Sequence, residues 1–303
     1  MENRIEKRIL CYNKLSFQKE QANMYKTTDK YIQINNYRIR YRALGEGSTT
    51  VMFIHGIGGY IEGWADVPSI ISKHFKVVVP DLIGHGLSDK PAINYSIDMF
   101  TDVIIRFMKE LNIESAVFVG HSLGGAICLD LSIKHPEKVK SLILVNSASV
   151  IIPLGIRFGS LGILKRINIK IPRSILKTFN RNSVYDCKLL TPEWLDEADR
   201  FCNTTESYRV LFSVLNSNIG LSGLKGEIQS RFCSGLANLK IPALIIYGAD
   251  DRTVPNANSH HLHSLIPDSK LIRYEKCRHL LPYEYTEKLA EDINQFLGLD
   301  NSL

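Results

Sequence analysis

Residues 116–125, Ala-Val-Phe-Val-Gly-His-Ser-Leu-Gly-Gly, constrain this chain more than any other stretch. A short apolar run ends in a G-x-S-x-G pattern, and a helical pattern follows from Ser122 to about Lys134. That spacing predicts a strand that turns sharply into a helix and leaves one side chain, Ser122, exposed at the tip. Gly120 and Gly124 remove the Cβ atoms that would clash in so tight a turn. The first turn of the helix would point free N–H groups at the same spot, where negative charge on an oxygen is stabilised. Ser122 is therefore a candidate nucleophile, with a plain strand-to-helix turn as the alternative.

A serine nucleophile needs a base and an acid that orients the base. Downstream, Ile241–Gly248 reads as a strand ending in a glycine turn, and Ala249-Asp250-Asp251-Arg252-Thr253-Val254-Pro255 follows it. Nearer the C-terminus a short strand, Lys270–Tyr274, leads into Glu275-Lys276-Cys277-Arg278-His279. Each candidate sits in the loop after a strand, where side chains converge on one edge of a parallel sheet. Asp250 and Asp251 also suit helix caps, and His279 also suits a solvated loop. An acid after the strand Ser141–Val145 is disfavoured, because Asn146 stands there and does not ionise.

These motifs together resemble an α/β-hydrolase of the single-domain esterase and lipase type, from about Tyr31 to Leu297. His55-Gly56-Ile57-Gly58-Gly59 is similar to the family's oxyanion loop. Asp81-Leu82-Ile83-Gly84-His85-Gly86-Leu87-Ser88 is similar to its D-x-x-G-x-G-x-S turn, and Gly248–Pro255 to its acid loop, whose spacing selects Asp251. The family usually has glycine before the final histidine; here Arg278 replaces it. The resemblance implies a triad of Ser122, Asp251 and His279, with an oxyanion hole made by the backbone N–H groups of Leu123 and Ile57, or of Gly58 in place of Ile57. Haloalkane dehalogenase and epoxide hydrolase chemistry is disfavoured, since those elbows need a carboxylate at the position of Ser122.

Other histidines read differently. His55, His85 and His121 shape the motif loops, and His55 is also a candidate for lining a pocket. His260-His261-Leu262-His263 lacks the i, i+4 pair that puts two metal ligands on one helix face, and no carboxylate pattern accompanies it. The expected machinery calls for no metal and no organic cofactor.

The coarse pattern alternates strand and helix, which predicts a mostly parallel sheet. Strands are expected near Tyr31–Ile34, Arg38–Arg42, Val51–His55, Lys76–Val79, Ala116–Val119, Ser141–Val145, Ala243–Tyr247 and Lys270–Tyr274, the first two as an antiparallel hairpin through Asn35-Asn36. Helices are expected over Ile97–Leu111 and Tyr285–Leu297. From about Ser149 to Leu239 the rhythm stops, where the resembled family inserts a helical cap. The expected fold is thus an α/β-hydrolase fold: a mostly parallel eight-stranded sheet flanked by helices, with a cap. The expected division is a basic extension over 1–30, a core over 31–148 and 240–303, and a cap over 149–239. Trp194, Leu195, Phe201, Val210, Leu211 and Phe212 are read as cap-to-core packing, with pocket lining as the alternative.

Charge is uneven. The net charge is +6, and residues 1–42 hold ten Lys or Arg against four acids. Ile151–Arg181 carries seven basic residues and no acid, among Leu, Ile and Phe. The favoured reading is a solvated cap face, and the alternative is a basic amphipathic contact with an anionic membrane, aided by the N-terminal arm. No nucleic-acid motif accompanies the charge. The six cysteines show no paired spacing, so a reducing, cytoplasmic setting is expected. No membrane-spanning run of apolar residues and no secretory signal is read.

The leading functional expectation is a serine carboxylesterase or lipase-like hydrolase that cleaves a hydrophobic acyl ester through an acyl-enzyme. A C–C bond hydrolase of the ring-fission product type keeps the same triad and is the alternative. A ligand sensor on the same fold is a third reading.

Overall fold

The computed structural model describes residues 29–159, 174, 178 and 180–299. The strands are β1 (Lys30–Ile34), β2 (Tyr37–Leu44), β3 (Thr50–Ile54), β4 (Lys76–Pro80), β5 (Ala116–His121), β6 (Val139–Val145), β7 (Ile219–Gly220), β8 (Gly223–Leu224), β9 (Ala243–Gly248) and β10 (Lys270–Tyr274). Eight of them form one sheet in the order β1-β2-β4-β3-β5-β6-β9-β10. The pairs β1–β2 and β2–β4 are antiparallel, and every other neighbour in the sheet runs parallel. Each of the eight expected strands is present.

The sheet is buried on both faces, and its alternation shows how. Met52, Ile54, Phe118, Leu142, Leu144, Ala243 and Ile245 join one core. Val51, Phe53, Val117, Val119, Ile143, Val145, Leu244 and Ile246 join the other. Residues with opposite parity thus serve opposite faces, and continuous apolar runs are what a doubly covered parallel sheet requires. Each fully buried aliphatic or aromatic side chain contributes about 1.5–3 kcal/mol of transfer free energy.

The helices named here are α1 (Val67–Ile71), α2 (Ile97–Glu110), α3 (Leu123–Lys134), α4 (Leu154–Gly159), α5 (Pro192–Cys202), α6 (Thr205–Asn218), α7 (Gly226–Gly235), α8 (Ala257–Leu265), α9 (Leu281–Glu284) and α10 (Thr286–Phe296). The start of α2 follows from Ser96, whose hydroxyl accepts the Met99 N–H at 3.1 Å. Ile97, Phe100, Ile104, Phe107 and Met108 then fall on its buried face. In the first core α2 and α3 cover the sheet; in the second, α1 and α10 do so through Val67, Ile71, Leu289 and Ile293.

Between β6 and β9 the described chain is mostly helical, with the two-residue pair β7–β8, which is too short to leave a sequence pattern. Asn218 ties α6 to the core: its Oδ1 accepts the Ile97 N–H at 2.8 Å, and its Nδ2 donates to Tyr95 O at 2.9 Å. Leu195, Phe201 and Val210 are buried. Phe201 lies with its ring centroid 4.7 Å from that of Tyr60, so it packs against the core as expected. The arm over residues 1–28 and most of the basic stretch Ile151–Arg181 lie outside the described residues. The first strand begins at Lys30, within the expected extension. Among the described residues no helix is long and apolar enough to cross a membrane.

Candidate active site

Ser122 sits between β5 and α3 with φ 53° and ψ −119°. A serine with positive φ is strained by about 1–3 kcal/mol and persists only where its surroundings hold it. They do so through backbone bonds: the Ser122 N–H donates to Val145 O at 3.2 Å, and Ser122 O accepts from Gly125 N and Ala148 N at 3.0 Å each. A Cβ on Gly124 would stand 1.9 Å from Ile54 O, and one on Gly120 would stand 2.7 Å from Gly124 O. The two glycines are therefore required by close approach, as the spacing predicts.

Asp251 and His279 meet at the same edge of the sheet. The His279 Nδ1–H donates to Asp251 Oδ2 at 2.8 Å, with the imidazole 10 % and the carboxylate 1 % exposed. The other carboxylate oxygen accepts the Thr253 and Val254 N–H groups at 2.7 and 3.1 Å. That leaves Nε2 of His279 free to take a proton. Asp250, by contrast, is exposed. Ser122 Oγ and the His279 ring share no hydrogen bond among the described residues; the two halves are bridged by His121, whose ring centroid lies 4.7 Å from that of His279. Serine–histidine bonds are commonly loose before substrate binds.

The loop after β3 supplies the opposite wall. Gly59 N–H closes a turn on Gly56 O at 3.0 Å, with Gly58 at φ 67°. The loop presses on the elbow, since a Cβ on Gly56 would lie 2.8 Å from Ser122 Cβ. The Ile57 and Leu123 N–H groups have no acceptor among the described residues. Two unpaired amides flanking a candidate nucleophile are the donors an oxyanion requires.

His55 buckles this loop: its Nδ1–H donates to Gly56 O at 2.8 Å, and its Nε2 accepts the Leu82 N–H at 3.0 Å. Burial holds its pKa down to about 4, so the ring is neutral. With both nitrogens engaged and 3 % exposure, His55 shapes the loop and does not line a pocket. His85 is likewise neutral, lowered to about 3 by burial, and donates to Ile83 O at 3.2 Å. Cys202, at the end of α5, donates its S–H to Gly58 O. Burial pushes that thiol up to about 12, which keeps the proton on it.

Three residues emerge that the sequence motifs did not mark as working parts of the site. Asn146 follows β6 at φ 43°. Its Nδ2 donates to Arg278 O at 2.9 Å and His279 O at 3.1 Å, while its Oδ1 accepts the Gly248 N–H at 2.8 Å. Arg278 does not have positive φ, so the glycine usual at that position is not needed here. Glu284, at the end of α9, accepts the Arg278 N–H at 2.7 Å, and burial raises its carboxyl. In the His-rich stretch of α8, His260 meets Tyr247 Oη at 3.1 Å and His263 meets Ser269 Oγ at 2.9 Å.

Comparison with known proteins identifies the fold family. A family model described as the alpha/beta hydrolase fold matches residues 49–159 and 190–285. The chain is 29 % identical over 255 residues to a 2-hydroxymuconate semialdehyde hydrolase from a Pseudomonas species, covering 82 % of this chain and 86 % of that one. It is 26 % identical over 277 residues to a 2-hydroxy-6-oxo-6-(2'-aminophenyl)hexa-2,4-dienoic acid hydrolase from Metapseudomonas resinovorans, covering 89 % and 91 % of the two chains. Among solved structures it is similar to a meta-cleavage product hydrolase from Pseudomonas fluorescens, with a TM-score of 0.72 and 25 % identity over 88 % of this chain and 97 % of that one.

Proposed function

The chain belongs to the α/β-hydrolase fold family, and from that premise we propose that it is a serine hydrolase cleaving a carbon–carbon bond beside a ketone, in a substrate of the 2-hydroxy-6-oxo-dienoate kind. The observation that carries the hydrolase reading is the 2.8 Å bond between His279 and Asp251 beside an elbow serine flanked by two unpaired amides. The choice of bond is supported by the printed activities of the relatives at 29 % and 26 % identity.

In this reading Ser122 Oγ attacks the 6-oxo carbon and His279 Nε2 takes its proton. The oxyanion lies against the N–H groups of Ile57 and Leu123. Collapse breaks the bond between the former ketone carbon and its neighbour. The departing electron pair needs a sink, and the conjugated chain supplies one once the 2-hydroxy group has shifted to its keto form. His279 returns the proton to the dienolate so formed. Water, with His279 as base, then releases the acyl group from Ser122 as a carboxylic acid. Asp251 holds the imidazole in one tautomer throughout. The described part of the insertion after β6 acts as a cap that keeps bulk solvent off the site during carbon–carbon cleavage and still admits the water that releases the acyl group.

Ester cleavage is the second reading, favoured by the likeness of the Gly120–Gly125 elbow to esterases and lipases. It uses the same steps with an alkoxide leaving. One assay separates the two: loss of dienoate absorbance for 2-hydroxy-6-oxohepta-2,4-dienoate, run beside a series of p-nitrophenyl esters. The expected result is a kcat/KM for the dienoate about a hundredfold above the best ester. Ser122→Ala should lose at least about ten-thousandfold. Ester turnover far above the dienoate rate would move the assignment to an esterase, and activity surviving Ser122→Ala would remove Ser122 from the mechanism.

A further inference from the structure

Arg278 stands where the resembled family usually has glycine, and its side chain reaches across to a segment within the insertion. Its Nη1 donates to the carbonyls of Arg181 and Val184, both at 3.0 Å. Its guanidinium carbon lies 5.9 Å from the Tyr185 ring centroid. The neighbouring chain repeats the contact. Leu280 N–H donates to Ser183 O at 2.9 Å, and Tyr185 N–H donates to Glu284 Oε2 at 2.5 Å. Val184 is 0 % and Ser183 7 % exposed, so the segment is docked and does not brush the surface.

On the other side the same loop is held by the core. Asn146 takes the carbonyls of Arg278 and His279, and His121 takes that of His279 again at 2.8 Å. His279 is thus suspended between two anchors: a core anchor through its own carbonyl, and an insertion anchor through the side chain before it and the amide after it. The core anchor fixes the peptide.

We propose that Arg278 is a positioning residue that couples the seating of residues 181–185 to the placement of the His279 ring. The proposal rests on the reading of Ser122, Asp251 and His279 as a triad. Ser122 Oγ and His279 share no hydrogen bond among the described residues, so turnover depends on how this loop places the imidazole. A misplacement of about 1 Å at such a contact costs about a hundredfold in rate. Charge-assisted bonds to two carbonyls are strong enough to govern a displacement of that size. Docking of the segment therefore brings His279 into register, and release of the segment withdraws it.

The test uses the full chain and the rate at which a fluorophosphonate labels Ser122, which requires no knowledge of the natural substrate. Arg278→Ala and Arg278→Gly should label between about tenfold and a hundredfold more slowly than the unmodified chain. Amide exchange across 181–185 should rise in both. Arg278→Lys keeps the charge without the rigid fork and should recover part of the rate; it remains informative if the smaller variants fold poorly. Free guanidinium added to Arg278→Ala should restore labelling. Variants that melt lower yet label at the unmodified rate would make Arg278 a loop stabiliser only and overturn the proposal. Absence of labelling in the unmodified chain would overturn the triad reading and this proposal with it.

Discussion

His121 Nε2 stands 2.8 Å from the carbonyl oxygen of His279, so the residue before the elbow serine grips the backbone of the histidine that faces Asp251. Burial lowers the His121 pKa to about 3, which leaves the ring neutral with its proton on the donating nitrogen. Asn146 Nδ2 meets the same carbonyl at 3.1 Å and Arg278 O at 2.9 Å, and its Oδ1 takes the Gly248 N–H. The loops that follow β5, β6, β9 and β10 are therefore joined through two side chains.

This arrangement ranks two substitutions. Asn146→Ala removes bonds to three backbone groups and leaves the buried Gly248 N–H without an acceptor, so it should cost about 2–4 kcal/mol. His121→Phe keeps a ring of similar size and removes one bond from a carbonyl that Asn146 still serves, so about 1 kcal/mol is expected. Urea unfolding of both variants checks the order. If His121→Phe proves the more damaging, Asn146 is not the principal clamp.

The adjacent acids should separate cleanly. Asp251 is enclosed, bonded to His279, and accepts two backbone N–H groups. Asp250 is exposed, and its backbone N–H donates to Cys277 O at 2.9 Å. Asp251→Asn should lower kcat by about ten-thousandfold, because an amide can present an N–H where the imidazole needs an acceptor. Asp250→Asn should stay within about twofold, as surface changes remote from special features do. Steady-state rates of the two variants decide it, and a large loss in Asp250→Asn would reverse the assignment.

The sequence carried the strands and the elbow because both are written in local pattern: apolar runs of strand length, and glycines at fixed offsets from a serine. The pairing of Asp251 with His279 was legible from their places after successive strands. In the sequence Asn146 reads only as a residue that cannot ionise; its amide works through partners 102 to 133 positions away, a distance no spacing rule reports. Arg278 looked like a departure from a pattern, and only the backbone angles show that no glycine is needed there. Arg40 and Arg42 counted toward a basic N-terminal region. The fold instead turns Arg40 inward, 1 % exposed, against Asp29, Glu62 and Asp81.

That inward arginine supports the loop after β3. Arg40 Nη1 meets Asp81 Oδ2 at 3.0 Å, and its Nη2 meets Glu62 Oε1 at 2.5 Å. Asp81 Oδ1 in turn accepts the Ile61 N–H at 2.8 Å, just past Ile57–Gly59. Arg40→Met would strip the fully buried Asp81 carboxylate of its hydrogen-bonded guanidinium, which should cost about 3–5 kcal/mol. Arg40→Lys keeps the charge and should cost clearly less. Calorimetry of the two variants tests the difference; equal losses would mean that the fork geometry, and not the charge, holds the network.

The buried histidines fix how stability should respond to acid. His55, His85 and His121 are held down to about 4, 3 and 3 by burial, against an ordinary value of 6.5. A histidine with a lowered folded pKa contributes stability that is present above 6.5 and is lost as pH falls toward the folded value. Asp81 works the other way. Burial raises it to about 6 from 3.8 in spite of Arg40, so the folded chain takes up a proton there first. Near pH 5 the unfolded chain therefore holds about two more protons than the folded one across these four groups. Stability should fall by about 3 kcal/mol per pH unit in that region. Urea titrations between pH 7 and 4, taken with His55→Asn, check the sign and the slope. The substitution removes one titrating ring, so the slope should drop by about a third to a half. A flat profile would mean that these rings remain accessible to protons in the folded state.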